Sequence, residues 1–256
     1  MFVNPRVAVV ILTKNEARHI QDAIASVRWA DQVVVSDSYS DDGTVALAEA
    51  AGAVVTQRAF EGWAVQRNAA LETTAADWVF FLDADERVTP ALAAEIRQVI
   101  QGPQVGWWAP RYNYIVGRRI DHAGWYPDYQ MRLLKRGFTR YDLTRPVHEV
   151  VELDGEAGHL HNHLLHYNYD TWSQFYTKQR RYARYEATIL KARGIHPRPH
   201  NYILQPLREF RRRYLTLAGW RDGWYGLRLS ALMAYYAGVT YYELGQLWRT
   251  SPGPPE

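Results

Sequence analysis

Apolar runs alternate with amphipathic segments along the N-terminal part of the chain. Uninterrupted runs of apolar, partly β-branched residues are typical of strands that are buried on both faces. These runs predict strands at residues 7–12, 32–36, 53–57 and 78–82. Apolar positions at helical spacing predict helices at residues 17–27, 45–51, 63–72 and 91–100. Strands that alternate with helices in this way predict an α/β fold, with a mostly parallel, Rossmann-like sheet flanked by helices.

The pattern changes after Gly102. Residues 107–116 and 130–135 are predicted to form antiparallel strands, and a loop rich in glycine and aromatic residues separates them. From Thr171 onward the pattern is mostly helical, with helices predicted at residues 172–192, 204–214 and 227–247. We therefore predict a sheet domain at residues 1–170 and a helical C-terminal extension at residues 171–256.

Polar clusters follow three of the predicted strands, at residues 13–16, 36–38 and 83–85. Ligands of an open parallel sheet bind beyond the carboxyl ends of its strands, so one site explains all three clusters. Side chains at i and i+2 of an extended segment point the same way, so Asp83 and Asp85 are expected to face this site together. Two such carboxylates suit a hard divalent cation that carries a phosphate. The alternative is an acidic turn followed by a helix cap.

Several classes of protein are excluded by what the sequence lacks. Neither G-x-G-x-x-G nor G-x-x-x-x-G-K-[ST] occurs, so neither a dinucleotide-binding fold nor a P-loop enzyme is supported. A phosphate must therefore be held through a metal or by arginines. The sequence contains no cysteine, which excludes disulfides and thiolate metal sites and fits a reducing cytoplasm. Residues 1–6 show no signal-peptide pattern.

Four segments, in this order and spacing, resemble family 2 glycosyltransferases of the GT-A fold. They are residues 9–16 (VVILTKNE), 36–44 (SDSYSDDGT), 66–69 (QRNA) and 81–86 (FLDADE). Later segments narrow the resemblance to bacterial enzymes that add sugars to the lipopolysaccharide core, the type often called core β-1,4-glucosyltransferases. These segments are residues 127–136 (PDYQMRLLKR), 147–149 (VHE) and 164–167 (LLHY). The resemblance implies that the sheet domain binds a nucleotide sugar and carries out catalysis.

The resemblance also implies a role for individual residues. The nucleotide-sugar site would comprise Thr13, Asn15, Glu16, Asp37, Ser38, Arg67, Asp83 and Ala84. Asp37 would receive the base, with uracil expected, and Arg67 would lie near the diphosphate or brace the aspartates. Asp83 and Asp85 match the D-x-D motif of the family, with Asp85 as the direct ligand of Mg²⁺ or Mn²⁺. His166 resembles a further metal ligand of several GT-A enzymes. A divalent ion would neutralise the charge that develops on the leaving diphosphate.

Inverting transfer also requires a general base that takes the proton of the acceptor hydroxyl. In relatives this base is a carboxylate, often within an E-D pair. This chain has His148 and Glu149 instead, so Glu149 is the expected base and Asp128 is its rival. The alternative for Glu149 is an exposed carboxylate at a strand end. Four aromatic residues are candidates for stacking on sugar rings: Trp107, Trp108, Trp125 and Tyr126.

The charge of the chain is unevenly distributed. Residues 171–256 contain 14 Lys and Arg against 5 Asp and Glu, whereas residues 1–170 contain 16 against 22. A basic region rich in tryptophan and tyrosine indicates contact with a membrane surface that carries anionic lipids or with a nucleic acid. The alternative is a solvated basic face on ordinary helices. Four arginines at positions 208, 211, 212 and 213 suit an interfacial helix, although contacts within a homo-oligomer would give the same pattern. No recognised nucleic-acid motif is present, so no nucleic-acid partner is expected.

These features lead us to expect an inverting, metal-dependent glycosyltransferase. It would move glucose or another hexose from a nucleotide-diphosphate donor, with a UDP-sugar expected, to a lipopolysaccharide-core or other lipid-linked glycan. It would work in the cytoplasm, peripherally at the inner face of the cell membrane. Sugar nucleotidyltransferases are an alternative, but they carry a glycine-rich loop that residues 13–16 lack. A non-catalytic protein that binds anionic lipids is a second alternative, and it leaves the ordered motifs unexplained.

Overall fold

A computed structural model describes residues 4–144 and 150–250 of the chain. These residues belong to two compact units. The first unit comprises Met1–Tyr112 and Asp128–His166, and the second comprises Asn113–Pro127 and Tyr167–Glu256. The domain boundary that the sequence predicts after residue 170 stays a prediction.

The first unit begins with four parallel strands in the order β3-β2-β1-β4. The strands are joined by helices, as the alternating pattern predicts. The elements are β1 (Val7–Thr13), α1 (Ile20–Ser26), β2 (Gln32–Asp37), α2 (Thr44–Ala50), β3 (Val54–Gln57), α3 (Trp63–Thr73) and β4 (Trp78–Asp83).

Antiparallel strands extend this sheet beyond β4. The following elements are β5 (Glu86–Val88), α4 (Pro90–Val99), β6 (Gly106–Ile115), β7 (Arg118–Ile120), β8 (Tyr129–Lys135), β9 (Thr139–Tyr141), β10 (Val151–Leu153), β11 (Ala157–His159) and β12 (Leu164–Tyr169). Strand β8 pairs with β4 and with β6, and β5 pairs with β12. The sequence does not predict β5 or the short strands β7 and β9 to β11, because three residues are too few to show a period.

The central strands have side chains buried on both faces, and this burial determines the register in which the strands pair. Every residue of β1 is buried. Val9 and Ile11 pack with α1, α2 and α4 on one face, whereas Val10 and Leu12 pack with α3 on the other. A shift of one residue would exchange the two faces, so the register of β1 against β2 and β4 is strongly determined. The polar residue that ends each of these strands therefore has a fixed position.

The second unit is mainly helical. Its helices are α5 (Trp172–Ala192), α6 (Asn201–Arg211) and α7 (Gly223–Arg249), and a π-helical turn (Arg212–Thr216) and a 3₁₀ turn (Gly219–Asp222) separate the last two. A Cβ atom at Gly226 would lie 1.7 Å from the carbonyl oxygen of Gly219, so the chain requires glycine at this crossing. Within residues 4–144 and 150–250, no helix is long and apolar enough to cross a membrane. The predicted α/β fold, a mostly parallel sheet flanked by helices with a helical C-terminal extension, is confirmed.

A buried ionic cluster joins the strands of the first unit near the end of β4. The side chain of Glu86 in β5 is fully buried and accepts hydrogen bonds from Arg132 in β8 (2.7 Å) and from Arg111 in β6 (2.9 Å). The second carboxylate oxygen of Glu86 accepts from the backbone N–H of Asp83 at 3.0 Å. Because a buried charge is costly unless it is paired, these contacts depend on one another.

We predict that Glu86→Gln destabilises the protein by about 3 kcal/mol, because the substitution leaves two buried guanidinium groups without one of their negative partners. Glu152→Gln is the matched control, since Glu152 pairs with Arg140 and both side chains are largely exposed. The control should leave the denaturant midpoint essentially unchanged, because exposed ion pairs contribute little to stability. Urea unfolding of both variants makes the comparison, and equal midpoints would contradict the structural role of Glu86.

Candidate active site

Three polar side chains end three neighbouring strands of the first unit. Thr13 ends β1, Asp37 ends β2 and Asp83 ends β4. Thr13 is directly opposite Asp37 in the pairing of β1 with β2, and Leu12 is opposite Asp83 in the pairing of β1 with β4. The register of the parallel strands therefore gathers these residues at one edge of the sheet, as the sequence predicts.

Asp37 is a fully buried carboxylate with protein partners on both oxygens. One oxygen accepts hydrogen bonds from the hydroxyls of Thr13, at 3.1 Å, and of Ser40. The other accepts from the backbone N–H of Ser40 at 2.8 Å and from Gln57 Nε2 at 3.2 Å. Burial alone would raise the pKa of Asp37, but these hydrogen bonds outweigh burial and lower the pKa below its ordinary value. Asp37 is therefore an anion that accepts four hydrogen bonds from the protein.

The loops after β1 and β2 hold each other in place beside Asp37. Asn15 has a positive φ of 57°, and its backbone N–H donates to Ser40 Oγ at 2.8 Å. Its side-chain oxygen accepts from the N–H of Asp41 at 3.0 Å. The backbone N–H of Glu16 donates to Thr44 Oγ1 at 2.8 Å. The two polar clusters that the sequence singles out thus form one loop pair around the end of β2.

Ser38 connects this loop pair to helix α3. Gln66 Nε2 donates to Ser38 Oγ at 2.8 Å, and both side chains are buried. The next residue of α3, Arg67, lies with its guanidinium group 5.4 Å from the ring centre of Tyr141 and 5.8 Å from that of Phe81. Arg67 Nη2 is 3.9 Å from Asp83 Oδ1, so this arginine braces the aspartate at the end of β4.

Asp83 is surrounded by guanidinium groups. Arg132 donates to both of its oxygens, and Arg111 Nη1 lies 4.0 Å from Oδ2. Burial by itself would raise the pKa of Asp83, but the neighbouring guanidinium groups, Arg132 foremost, hold the pKa far below its ordinary value. Asp83 is therefore ionised, and most of its negative charge is compensated by the protein.

The sequence pattern does not predict Arg111, Arg132 or Glu86 as site residues. Arg132 is buried within the apolar strand β8, next to Leu133 and Leu134. An arginine at a buried strand position requires an acidic partner, and this is the signal that the pattern offers. The pattern does not reveal which acid is the partner, because β5 and β8 are far apart in the sequence.

Asp85 has different surroundings from Asp83. The strand ends at Asp83, and Ala84 and Asp85 form a turn, so the expectation that an extended segment aims both carboxylates the same way is wrong. Asp85 Oδ2 lies 3.5 Å from His166 Nε2. His166 is brought there by the antiparallel pairing of β12 with β5, in which His166 is opposite Glu86. Ala84 is buried, and its carbonyl oxygen accepts from Arg87 Nη1 at 2.8 Å.

The side chains of Asp85 and His166 are close enough to contact the same divalent ion. Two ligands at right angles on Mg²⁺, with bonds of about 2.1 Å, lie about 3 Å apart, and the observed separation is 3.5 Å. Among the residues that the structure describes, no three carboxylate, imidazole or thiolate side chains converge to form a complete metal site. Mg²⁺ typically binds one or two carboxylates and completes its shell with water and substrate phosphates, so two protein ligands suffice.

The two candidates for the general base are Glu149 and Asp128. Glu149 lies outside the described residues. Asp128 Oδ2 accepts hydrogen bonds from Arg111, at 2.7 and 2.9 Å, and its Oδ1 accepts from Gln130 at 2.9 Å. These contacts orient Asp128 as a partner of Arg111.

A cavity of about 300 Å³ lies in the first unit beside Arg67 and Arg132. Trp108 and Tyr141 contribute aromatic walls, and Gln130 contributes an amide. Trp107 instead packs against the hydrophobic core on the opposite face of the sheet. Of the four aromatic residues considered for sugar stacking, Trp108 therefore lines this cavity, whereas Trp125 and Tyr126 belong to the second unit.

Comparison with known proteins gives consistent matches. Residues 8–158 match the protein-family model described as Glycosyl transferase family 2. Lipopolysaccharide core biosynthesis glycosyltransferase LpsC of Rhizobium meliloti (strain 1021) is 30% identical over 244 residues, which cover 92% of this chain and 90% of that protein. An uncharacterized glycosyltransferase of Rickettsia bellii (strain RML369-C) is 40% identical over 95 residues, which cover 37% of this chain and 32% of that protein.

Among solved structures, mannosyl-3-phosphoglycerate synthase of Rubrobacter xylanophilus superposes with a TM-score of 0.47 and 19% identity, over 74% of this chain and 75% of that one. The family model covers more than half of the chain, and the similarity to LpsC extends over nearly all of it. The resemblance that the four N-terminal segments carry is thereby confirmed. The chain belongs to glycosyl transferase family 2 and is a glycosyltransferase.

Proposed function

We propose that this glycosyltransferase is an inverting, metal-dependent enzyme that transfers a hexose, with glucose the first candidate, from UDP to a lipid-linked glycan. The observation that carries the proposal is the Asp85–His166 pair, which lies directly after β4, while Asp37 and Thr13 lie at the ends of the neighbouring strands. A metal ligand set next to a nucleotide pocket is the arrangement that a sugar nucleotide requires. The metal would be Mg²⁺ or Mn²⁺, held by Asp85 and His166.

The base of the donor would bind at Asp37. The four hydrogen bonds that Asp37 accepts already occupy its lone pairs, and the one from Gln57, at 3.2 Å, is the longest. Gln57 is exposed at the end of β3, so it can move aside. The imide N–H of uracil would then replace the Gln57 amide on Asp37 Oδ2. Thymine carries the same imide N–H and adenine carries none, so this contact fits a uridine or a thymidine nucleotide, of which we propose uridine.

The diphosphate would bind next to Asp85, since no glycine-rich loop is available to hold it. A bound divalent ion supplies Lewis-acid stabilisation of the leaving diphosphate. Residues of the chain hold Asp83 in place beside this site. Arg132 and Arg67 contact its carboxylate, and its backbone N–H donates a hydrogen bond to Glu86. These contacts are preorganised, so they require no rearrangement during transfer.

The acceptor sugar would bind in the cavity lined by Trp108. Sugar rings present C–H faces that stack on aromatic side chains, and Gln130 offers hydrogen bonds to hydroxyl groups. Val150 also lines this cavity and directly follows Glu149 in the sequence. This proximity along the chain supports Glu149 as the base that takes the proton of the acceptor hydroxyl.

The relative LpsC supports an acceptor class, because its name assigns it to lipopolysaccharide core biosynthesis. We therefore take the acceptor to be a lipopolysaccharide core or another lipid-linked glycan. Such an acceptor requires the enzyme to work in the cytoplasm at the inner face of the cell membrane. The segment 171–256 contains 14 basic and 5 acidic residues. Its net positive charge supports contact with an anionic surface.

The metal site is tested by Asp85→Ala. This variant should lose about a thousandfold in the rate of sugar transfer from UDP-glucose in the presence of Mn²⁺, because the leaving diphosphate is no longer neutralised. Asp154→Ala is the control, since Asp154 is an exposed carboxylate in the bend that follows β10. Circular dichroism should show both variants folded. Normal turnover by Asp85→Ala would refute the proposal.

The base is tested by a pair of amide variants. Glu149→Gln should keep the affinity for UDP but lose about a hundredfold or more in transfer rate, since the proton of the acceptor has no recipient. Asp128→Asn should retain transfer, because Asp128 is held by Arg111 and Gln130. UDP binding by calorimetry and single-turnover transfer separate the two effects. An active Glu149→Gln together with an inactive Asp128→Asn would assign the base to Asp128.

A further inference from the structure

Helix α6 of the second unit presents apolar side chains to solvent. None of its eleven residues is buried, and Ile203 and Leu207 are 65% and 60% exposed. Phe210 follows at helical spacing and stacks on Tyr214, with ring centres 5.3 Å apart. These residues form one stripe along α6. Exposed stripes of this kind mark interaction sites more often than isolated apolar residues do.

The other sides of α6 are accounted for by contacts within the second unit. A Cβ atom at Gly238 of α7 would lie 3.2 Å from Pro206, and one at Gly245 would lie 2.7 Å from the Tyr202 hydroxyl. The side of α6 that carries Pro206 therefore packs against α7. A cavity of about 400 Å³ among α5, α6 and α7 is lined by Gln205 and Arg208 of α6, by Arg212 of the turn that follows, and by Ala237, Thr240 and Tyr241 of α7. The apolar stripe lies on the remaining side.

Helix α7 carries a second exposed stripe. Trp224, Tyr235 and Tyr242 are 68%, 61% and 57% exposed. Tyr235 and Tyr242 follow Trp224 by about three and about five helical turns, so the three rings lie along one line of the helix. The stretch between Leu229 and Tyr242 contains no charged residue. Each tyrosine or tryptophan side chain of this stripe combines an apolar ring with a polar O–H or N–H group, which suits the boundary between water and lipid.

The two stripes lie on the same side of the α6–α7 pair. On each helix, the residues that line the cavity and the residues of the exposed stripe flank the helix-to-helix contact from opposite sides. Rotation by about 100° per residue gives this order for both helices. We refer to the two stripes together as the α6–α7 face, made of Ile203, Leu207, Phe210, Trp224, Tyr235 and Tyr242.

The positive charge around the α6–α7 face favours a negatively charged partner. Arg211 is exposed one turn after Leu207, on the same side of α6. The acidic residue of α6, Glu209, is neutralised by Arg212 and Arg213, and Arg213 is held inward by the carbonyl oxygen of Ala123. The segment 171–256 carries 14 basic against 5 acidic residues. A second copy would bring the same positive charge to the interface, whereas an anionic lipid surface would neutralise it.

We propose that the α6–α7 face binds the surface of a bilayer that contains anionic phospholipids. Ile203, Leu207 and Phe210 enter the boundary of the acyl chains, the aromatic rings of α7 lie at the level of the headgroups, and Arg211 contacts lipid phosphates. The inference deepens the proposed function, on which its biological setting rests, because the bilayer is where a lipid-linked acceptor is found.

The test is co-sedimentation of the full chain with vesicles of phosphatidylcholine and phosphatidylglycerol, compared with vesicles of phosphatidylcholine alone. The wild type should bind only the mixed vesicles, and salt should weaken this binding. The double variant Ile203→Asp/Leu207→Asp should bind at least about tenfold more weakly. The matched control is Tyr182→Asp/Tyr185→Asp on α5, where both side chains are also exposed, and it should bind like the wild type.

Both variants should keep the wild-type affinity for UDP, which shows that the first unit is intact. Equal vesicle binding by the wild type and the Ile203→Asp/Leu207→Asp variant would overturn the proposal. So would a concentration-dependent dimer that this variant dissociates, if no vesicle binding accompanies it. Transfer to an acceptor dispersed in detergent tests the proposed function separately. Vesicle binding without any transfer would support the surface and count against the proposed function alone.

Discussion

The site depends on the ionic contacts of Arg132 with Asp83 and Glu86. Burying a guanidinium group costs several kcal/mol after relaxation, by order of magnitude, unless acidic partners are positioned well. Arg132 meets this requirement with Asp83 at the end of β4 and Glu86 at the start of β5. The turn between the two acids contains Ala84 and Asp85. The same contacts that hold β8 against β4 thus fix the position of the turn that carries the candidate metal ligand.

The two aspartates have different partners in this arrangement. Asp83 is engaged by arginines, and their charges keep it ionised and oriented. Asp85 lies beyond the strand and has His166 as its neighbour. Proximity in the D-A-D sequence therefore does not mean that the two carboxylates have the same surroundings. With only two protein ligands, a metal ion bound here would need the donor diphosphate to complete its coordination.

The sequence predicts the part of the fold in which local pattern and tertiary position agree. Val7–Thr13 is buried along its whole length, so its apolar run is visible without a structure, and Thr13 and Asp37 follow directly as strand ends. The position of His166 is different, because it depends on the pairing of β12 with the three-residue strand β5. The resemblance to a family suggested His166, but no periodicity could bring it to Asp85. Arg111 and Arg132 were missed because their acidic partner is distant in sequence.

The sequence predicts that the C-terminal part of the chain is helical, but it predicts less well where the individual helices begin. Helix α7 begins at Gly223, earlier than the apolar pattern indicates, and its first turn packs Gly226 closely against Gly219. Helix α6 contains Pro206, which obscured its start at Asn201. Arg213 was expected on the exposed basic face, but Glu209 and the carbonyl oxygen of Ala123 hold it inward. Such contacts are set by tertiary packing and leave no local signal.

A metal site with only two protein ligands would have to be completed by the nucleotide diphosphate. Calorimetric titration of the protein with Mn²⁺, in the absence and presence of saturating UDP, measures this dependence. We expect weak binding of Mn²⁺ alone and at least about tenfold tighter binding with UDP, since the two ligands would be thermodynamically linked. An affinity for Mn²⁺ that UDP leaves unchanged would rule out a metal site of this kind.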